Sequence, residues 1–207
     1  MNRMIRIFLM VAAVAVASLA PSAFADSLVT VDGSYAFGNN GYGIPPYGGT
    51  LDGTSAQFYC VDFSHEIGGG DFWYAISTPV TPGGNYSSTF LGSASAYEEI
   101  AWLLTQEISA PDQNTAAAYQ WAIWSLTGGN DPYTGLLSAS VLVFEAQLAV
   151  KLGYTGAGWT ILTPDTAHNQ YGQEFMIRTP EPGTLLLLIV GLGVLMFFAR
   201  RRELLQN

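Results

Sequence analysis

Two strongly apolar segments, one near each end of the chain, restrict what the residues between them can fold into. At the amino terminus, Arg3 and Arg6 precede an apolar run over residues 7–20, and the small-x-small sequence Ala23-Phe24-Ala25 follows it. This order is typical of a secretory signal peptide, and the run is short for a bilayer span. We therefore predict a signal peptide over residues 1–25, cleaved after Ala25.

The second apolar segment lies near the carboxyl terminus. Residues 184–199 form a run of 16 apolar or small residues, slightly below the ~17–25 that usually cross a bilayer. Arg200, Arg201 and Arg202 follow directly, and such a basic cluster stays on the cytoplasmic side of the membrane. The pattern predicts a transmembrane helix over 184–199, with the preceding domain outside the cytoplasm.

A short proline motif, Pro180-Glu181-Pro182, stands just before this segment. Together, the motif, the apolar run and the arginine cluster resemble the PEP-CTERM sorting tail of Gram-negative bacteria over residues 179–202. The resemblance implies that exosortase, a membrane protease-transpeptidase, removes the helix and passes the protein to the cell surface or extracellular matrix. We therefore assign residues 179–207 to a sorting tail. The alternative is an ordinary single-pass anchor with a rigid diproline stalk.

The part between the two ends, residues 26–178, has the length of one ordinary domain. It contains two basic residues, Lys151 and Arg178, against fourteen acidic ones, which gives a net charge of −12. Nucleic acid and anionic lipid both need a positively charged surface, so this charge argues against either as a partner. We expect one acidic, exported domain.

Local patterns divide this domain into a β-rich half and a helical half. Up to about Leu91, short alternating segments such as 28–31 and 56–63 are separated by glycine and proline clusters, a pattern typical of antiparallel strands. Two further strand-like segments, 159–162 and 174–178, are expected to return to the same sheet.

Apolar residues recur at helical spacing between these β segments. The first helix is predicted to begin at a capping box, Ser95-x-x-Glu98, and to end before Pro111. The second should begin at Asp112 or Asn114 and end at Gly128-Gly129. The third, over residues 138–152, carries Val141, Phe144, Ala146 and Leu148. The predicted fold class is α+β, an antiparallel β-rich half followed by about three helices, plus the transmembrane sorting helix.

Cys60 is the only cysteine in the chain. In an exported protein it has no internal disulfide partner, so its thiol must be buried, paired between chains, or used chemically. Gln120 is followed by Trp121 and Trp124 on the predicted second helix and shares a face with Ala117, Ile123 and Trp124. A sheltered amide needs a hydrogen-bond partner. We predict that Cys60 and Gln120 meet.

Two short motifs carry a resemblance to a known kind of domain. Tyr59-Cys60-Val61-Asp62 and Gln120-Trp121-Ala122-Ile123-Trp124 are similar to the paired motifs of thioester domains in Gram-positive surface adhesins. The resemblance implies an internal thioester between the sulfur of Cys60 and the side-chain carbonyl of Gln120. It departs from the usual motif at Tyr119, where those adhesins have threonine.

The chemistry of such a bond needs these residue types. A thiolate attacks the carboxamide and expels ammonia, and an outside amine or hydroxyl later displaces the thiolate and leaves a covalent bond. Water must be excluded until then, and Tyr59, Trp121 and Trp124 are expected to exclude it, with Asp62 shaping the pocket. The protein is consumed by the bond, so we expect an adhesin and not an enzyme. Its partner would be an amine- or hydroxyl-bearing surface or exopolysaccharide.

Three other interpretations stay open. In the first, Cys60 is a small buried residue and Gln120 hydrogen-bonds within the core. In the second, the protein is a noncovalent structural or carbohydrate-binding matrix component whose tyrosines stack on sugars. The third is a secreted hydrolase using Cys60 or Ser64 with His65. On a strand, however, His65 would lie on the opposite face from Cys60, Asp62 and Ser64 unless the chain turns.

We predict neither a metal nor a cofactor. Two separated histidines and one cysteine do not match a zinc-site spacing, and Asp71 and Asn130-Asp131 lack identifiable further calcium ligands. His168 is expected to be an ordinary loop residue. The adjacent Glu98 and Glu99 are explained by a place in the first turn of a helix, where the helix dipole favours acids. The expected location is the surface or matrix of a Gram-negative bacterium, reached through a membrane-anchored form.

Overall fold

The computed structural model describes residues 26–168 and 172–179, together with Gly191. The strands are β1 Ser27–Val31, β2 Phe37–Asn39, β3 Tyr42–Ile44, β4 Tyr47–Leu51, β5 Thr54–Cys60, β6 Phe72–Pro79, β7 Trp159–Pro164 and β8 Phe175–Arg178. The helices are α1 Ala94–Ile108, α2 Gln113–Ser125 and α3 Ala139–Lys151, with short 3-10 turns at Gly135–Leu137 and Thr166–His168.

Several predicted features lie outside the described residues. These are the signal peptide, the Pro180-Glu181-Pro182 motif, the helix predicted over 184–199 apart from Gly191, and the arginine cluster at 200–202. Within the described part of the chain, no helix combines the length and the apolar character that a membrane crossing requires.

Six of the strands close into an antiparallel barrel in the order β1-β4-β5-β8-β7-β6, while β2 and β3 form a separate hairpin. The two strands that follow the helices, β7 and β8, complete the barrel by pairing with β6 and β5. The predicted α+β class, with a β-rich first half and three helices, is confirmed, and so is the return of the late strands to the sheet. Closure of the sheet was not predicted.

Alternation along the strands separates two hydrophobic clusters. On β5, Phe58 and Cys60 belong to the cluster that includes Val29, Trp73 and Phe175, whereas Tyr59 belongs to the cluster that contains the helices. The first cluster fills the barrel, and the second packs helices against its outer face. Backbones approach closely between β1 and β4, where a Cβ on Gly49 would lie 2.0 Å from the carbonyl oxygen of Thr30. Only glycine fits there.

The start of α1 differs from the prediction. Ser93, and not Ser95, is the N-cap, because Ser93 is extended and its side chain accepts a hydrogen bond from the amide of Ala96. The helix therefore begins earlier, and Glu98 and Glu99 fall in its second turn. The dipole explanation offered for these two acids is correspondingly weaker.

The second helix, α2, is buried on two sides. Asp112, one of the two predicted starts, is its N-cap. The Asp112 side chain accepts a hydrogen bond from the amide of Thr115. Ala117, Trp121 and Trp124 face the barrel cluster, while Ala118, Ala122 and Ile123 face the other two helices. Gln120 lies on the same helix with none of its surface exposed.

The third helix, α3, uses only part of its apolar surface in the core. Ala139, Leu142 and Ala146 are buried. Phe144 and Leu148 are 63% and 48% exposed. The helix is apolar on more than one side, so periodicity alone does not show which side packs inward.

Strand β8 determines where the chain leaves the barrel. It begins beside the end of β5, where Phe175 pairs with Cys60, and it ends at Arg178, which pairs with the first residue of β7, Trp159. The tail therefore departs from the end of the barrel that is opposite Cys60.

Candidate functional site

The structure brings Cys60 and Gln120 together. Cys60 is the last residue of β5, Gln120 is in α2, and both are fully buried. The Gln120 Nε2 atom donates a hydrogen bond to the Cys60 carbonyl oxygen at 2.9 Å. The Gln120 Oε1 atom is buried and has no hydrogen-bond partner in the described part of the chain. The two residues are therefore in contact through this hydrogen bond, and the oxygen of the Gln120 amide has no partner among the described residues.

The sulfur of Cys60 has two polar neighbours. It accepts a hydrogen bond from the indole Nε1 of Trp124 at 3.3 Å and lies 3.2 Å from the carbonyl oxygen of Asp62, to which it donates. Burial raises the pKa of the thiol from 9.0 to about 12, although the hydrogen bond from Trp124 opposes the shift. At neutral pH the group is therefore a thiol, whereas the nucleophilic form is the thiolate.

Tryptophans close the pocket on its barrel side. Trp121 and Trp124 are 4% and 2% exposed, and their rings meet edge to face at 5.1 Å. Trp121 Nε1 donates to Asn39 Oδ1 at 3.1 Å. Tyr42 from β3 and Phe63 from the loop after β5 pack on both indoles, with ring centroids 5.3–5.8 Å apart, and their own ring centroids are 5.2 Å apart. This aromatic group shields the pair from water.

Tyr59 does not belong to this pocket, contrary to the prediction. Its side chain lies on the opposite face of β5 from Cys60 and packs edge to face against Trp159 at 5.5 Å. The reason is the two-residue period of a strand, which points neighbouring side chains to opposite faces.

The loop after β5 is organised by Asp62, which is 3% exposed. Its carboxylate accepts hydrogen bonds from the Ser64 amide at 2.8 Å and from His65 Nδ1 at 2.5 Å. The chain leaves the strand at Cys60 and turns, so His65 folds back onto Asp62. The strand period places His65 on the opposite face from Asp62 unless the chain turns, and the chain does turn here.

This turn does not create a hydrolase arrangement. His65 contacts Asp62, the hydroxyl of Ser64 donates to the carbonyl oxygen of Thr127 at 3.1 Å, and the sulfur of Cys60 contacts Trp124 and the Asp62 main chain. Neither candidate nucleophile is hydrogen-bonded to the imidazole. The contacts give no support to a Cys/His or Ser/His mechanism.

Gln173, which the sequence did not single out, holds this loop in place. Its Nε2 donates to the carbonyl oxygens of Asp62 at 2.6 Å and His65 at 2.7 Å. It lies just before β8, more than 100 residues from the loop, and only the barrel closure brings the two together.

We expect Gln173→Leu to lower the free energy of unfolding by about 1–3 kcal/mol, because two carbonyl groups lose a buried donor. Chemical denaturation would measure this. The surface change Gln147→Leu, on an exposed position of α3, serves as the control and should have a much smaller effect. An equal cost in both variants would contradict this role for Gln173.

A groove of about 330 Å³ opens beside the buried pair and includes Asp62 and Trp124 in its wall. Other lining residues are Tyr35, Tyr42, Tyr47, Phe63, His65, Glu66 and Gln173. Tyr35 and Tyr42 are 53% and 41% exposed. The groove was not predicted, because its walls come from segments that are distant in sequence.

Two buried acids were also missed. Glu174 accepts hydrogen bonds from the Phe90 amide, the Tyr97 hydroxyl and the Thr163 hydroxyl. Glu107 on α1 is 5% exposed, and neither of its carboxylate oxygens has a partner in the described part of the chain. Burial raises the pKa of both groups. Glu107 stands three residues after Leu104 on the buried face of α1, and this spacing could have indicated that Glu107 is buried.

His168, expected to be an ordinary loop residue, has two acidic neighbours. Its Nδ1 lies beside a carboxylate oxygen of Asp165 and 4.0 Å from one of Asp26. Potential ligand atoms of these three residues fall within 4.8 Å of one another. The two acids considered for calcium use their carboxylates internally: Asp71 accepts from the Gly68 amide, and Asp131 accepts from those of Tyr133 and Ala139.

Comparison with known proteins identifies one region. Residues 178–202 match the PEP-CTERM protein-sorting motif. No curated protein and no solved structure matches the chain. The motif supports an exported protein that is membrane-anchored or at the surface and is processed by exosortase. The predicted sorting tail is confirmed to this extent, while the thioester-domain resemblance finds no support in these comparisons.

Proposed function

We propose that this exported protein attaches covalently to another molecule at the cell surface or in the extracellular matrix, through a thioester between Cys60 and Gln120. One observation carries the proposal. The only cysteine and a fully buried glutamine, 60 residues apart, meet in a water-poor pocket, where the glutamine carbonyl has no hydrogen-bond partner. Such an unsatisfied buried atom is uncommon and calls for an explanation.

Formation of the bond joins the Cys60 sulfur to the Gln120 side-chain carbon and releases ammonia, which carries away the amide nitrogen and the thiol proton. An outside amine then attacks the carbonyl carbon, and the sulfur leaves as a thiol. Trp124 donates to the sulfur and so stabilises negative charge as the sulfur departs. The high pKa of the thiol makes formation slow, while the same burial protects the finished thioester from water.

The position of the site suits attachment to a partner outside the cell. The groove that borders Asp62 and Trp124 gives an outside group a route towards the pair. The tail leaves the barrel at the opposite end from Cys60. A domain held at the membrane by that tail therefore directs the groove away from the bilayer.

Methylamine tests this chemistry. The purified exported protein should take up one methylamine at residue 120 and release one titratable thiol, and peptide mapping would locate the adduct. Cys60→Ala is the matched control and should take up none. A wild-type protein that takes up none, while its unfolded form gives a free thiol and an intact Gln120, would exclude the thioester.

A second candidate, noncovalent carbohydrate binding in the matrix, is favoured by the aromatic groove. Tyr35 and Tyr42 are exposed beside Glu66 and Gln173, and aromatic faces with nearby polar groups suit sugar rings. Binding to exopolysaccharide that persists in Cys60→Ala and is lost in Tyr42→Ala would favour this function. In either case we propose a protein that does not turn over a substrate.

A further inference from the structure

An exposed apolar stripe runs along α3. Phe144, Leu148 and Leu152 are 63%, 48% and 80% exposed, and their spacing of four residues aligns them on one side of the helix and its C-cap. Exposed apolar residues are ordinary when they are scattered, but a continuous group marks a surface that contacts something. We call these three residues the α3 stripe.

The sorting tail keeps the domain close to the membrane. The described chain reaches Thr179, whose amide donates to the Gly158 carbonyl oxygen at 2.9 Å, and the predicted membrane segment begins at Thr184. Five residues span about 18 Å at most. A domain of this size has a radius of gyration of about 15 Å and is about 40 Å across. While the tail is inserted, the domain therefore has to rest against the lipid head groups.

The C-terminal end of the α3 stripe is close to the tail exit along the chain, since Gly158, whose carbonyl oxygen accepts from the Thr179 amide, stands six residues after Leu152. Tyr154 and Trp159 both approach the Thr105 hydroxyl, at 3.1 and 3.4 Å, so the segment between α3 and β7 folds back tightly. Leu152 begins this segment, and Gly158, which holds Thr179, is near its end. Leu152 therefore lies within about 20 Å of the tail exit, on the part of the domain that the tether holds close to the membrane.

The positions of the basic residues also favour contact between the C-terminal end of α3 and the membrane. Lys151 and Arg178 are the only basic residues between 26 and 178, and they stand next to Leu152 and at the tail exit. Glu145 is the only acidic residue of α3, and Glu99 of α1 lies near Lys151. The net charge of −12 still opposes binding of the free domain to anionic lipid, so the tether is needed to produce the contact.

We propose that the C-terminal end of the α3 stripe, Leu152 with Leu148, contacts the lipid interface while the sorting tail remains in the membrane. The contact fixes the orientation of the domain, with Cys60 and the groove directed outward. It is lost when exosortase removes the tail, because the charge of the free domain then prevails. The proposal depends on the sorting tail and is independent of the thioester.

The test uses the full chain, with its tail, in phosphatidylcholine–phosphatidylglycerol vesicles. An environment-sensitive fluorophore is attached at Leu148→Cys or, separately, at Leu152→Cys, and at Glu66→Cys on the groove end as the control. Cys60 is buried and stays unlabelled in the native protein. We expect emission at 148 and 152 to shift to the blue and to be quenched by lipids brominated near the head group several-fold more than at 66.

Two results would overturn the proposal. One is equal quenching at all three positions. The other is a blue shift at 148 and 152 that disappears when the protein is diluted in a constant amount of lipid, which would indicate a second copy of the chain as the partner. The variant Phe144→Gln, labelled at 152, should show weaker quenching. A chain cleaved before residue 180 should show none.

Discussion

Phe175→Ala should cost about 3–5 kcal/mol of unfolding free energy, the range for truncating a buried phenylalanine. Phe175 has no exposed surface, and its ring lies 5.6 Å from those of Trp73 and Phe58 and 5.8 Å from that of Tyr47. It also pairs with Cys60 across β5 and β8. The substitution therefore leaves a cavity in the barrel at the position that supports the thiol.

Phe72→Ala is the matched control for this substitution. Phe72 stands on β6 next to Trp73 but is 61% exposed, so its loss should stay within about 0.5 kcal/mol. Denaturant unfolding followed by tryptophan fluorescence gives both values. Similar costs for the two variants would mean that the closed barrel is not the core of this protein.

Glu107→Gln should stabilise the protein increasingly as pH rises. Burial raises the pKa of Glu107 well above its ordinary value of 4.5. The pKa of Glu107 is near 4.5 in the unfolded chain and higher in the folded protein. At pH values between the two, the folded protein holds a proton that the unfolded chain has released, so the free energy of unfolding of the wild type falls as pH increases. For one such group the slope is about 1.4 kcal/mol per pH unit. Glutamine has the same shape and does not ionise, so the free energy of unfolding of the variant does not fall with pH at this position.

The measurement is the difference in unfolding free energy between Glu107→Gln and wild type at several pH values from 4 upward. Taking the difference cancels the contribution of other titrating groups, including the buried Glu174. Glu66→Gln, the same change at an exposed position, is the control. A flat profile for Glu107→Gln would show that Glu107 is paired or exposed in solution.

Local patterns predicted the elements well where one short-range interaction decides them. Asp112 caps α2 because its side chain reaches the amide of Thr115 three residues on. At α1 two serines compete, and the one that caps, Ser93, has no glutamate three residues later to signal it. Barrel closure depends on which distant strands pair, such as β5 with β8, and no local pattern encodes that choice.

The candidate site was predicted in its centre and missed at its edges. Cys60 and Gln120 were singled out because each was unusual by itself, a single exported thiol and an amide beside tryptophans, and the Gln120 side chain does contact the Cys60 main chain. Tyr59 was misplaced because its motif was considered without the strand period. Gln173 carries no motif, and its role comes from tertiary contacts that sequence patterns do not contain. The burial of Glu107 had a signal, its helical spacing after Leu104, which was not used.

The intact mass of the purified exported protein, measured after denaturation without reductant, shows directly whether the thioester has formed. We expect a mass lighter by one ammonia than the processed sequence requires, and the full mass in Cys60→Ala. A thioester that has already hydrolysed would instead leave glutamate at position 120. A full mass with an alkylatable Cys60 and an unchanged Gln120 would mean that no thioester forms.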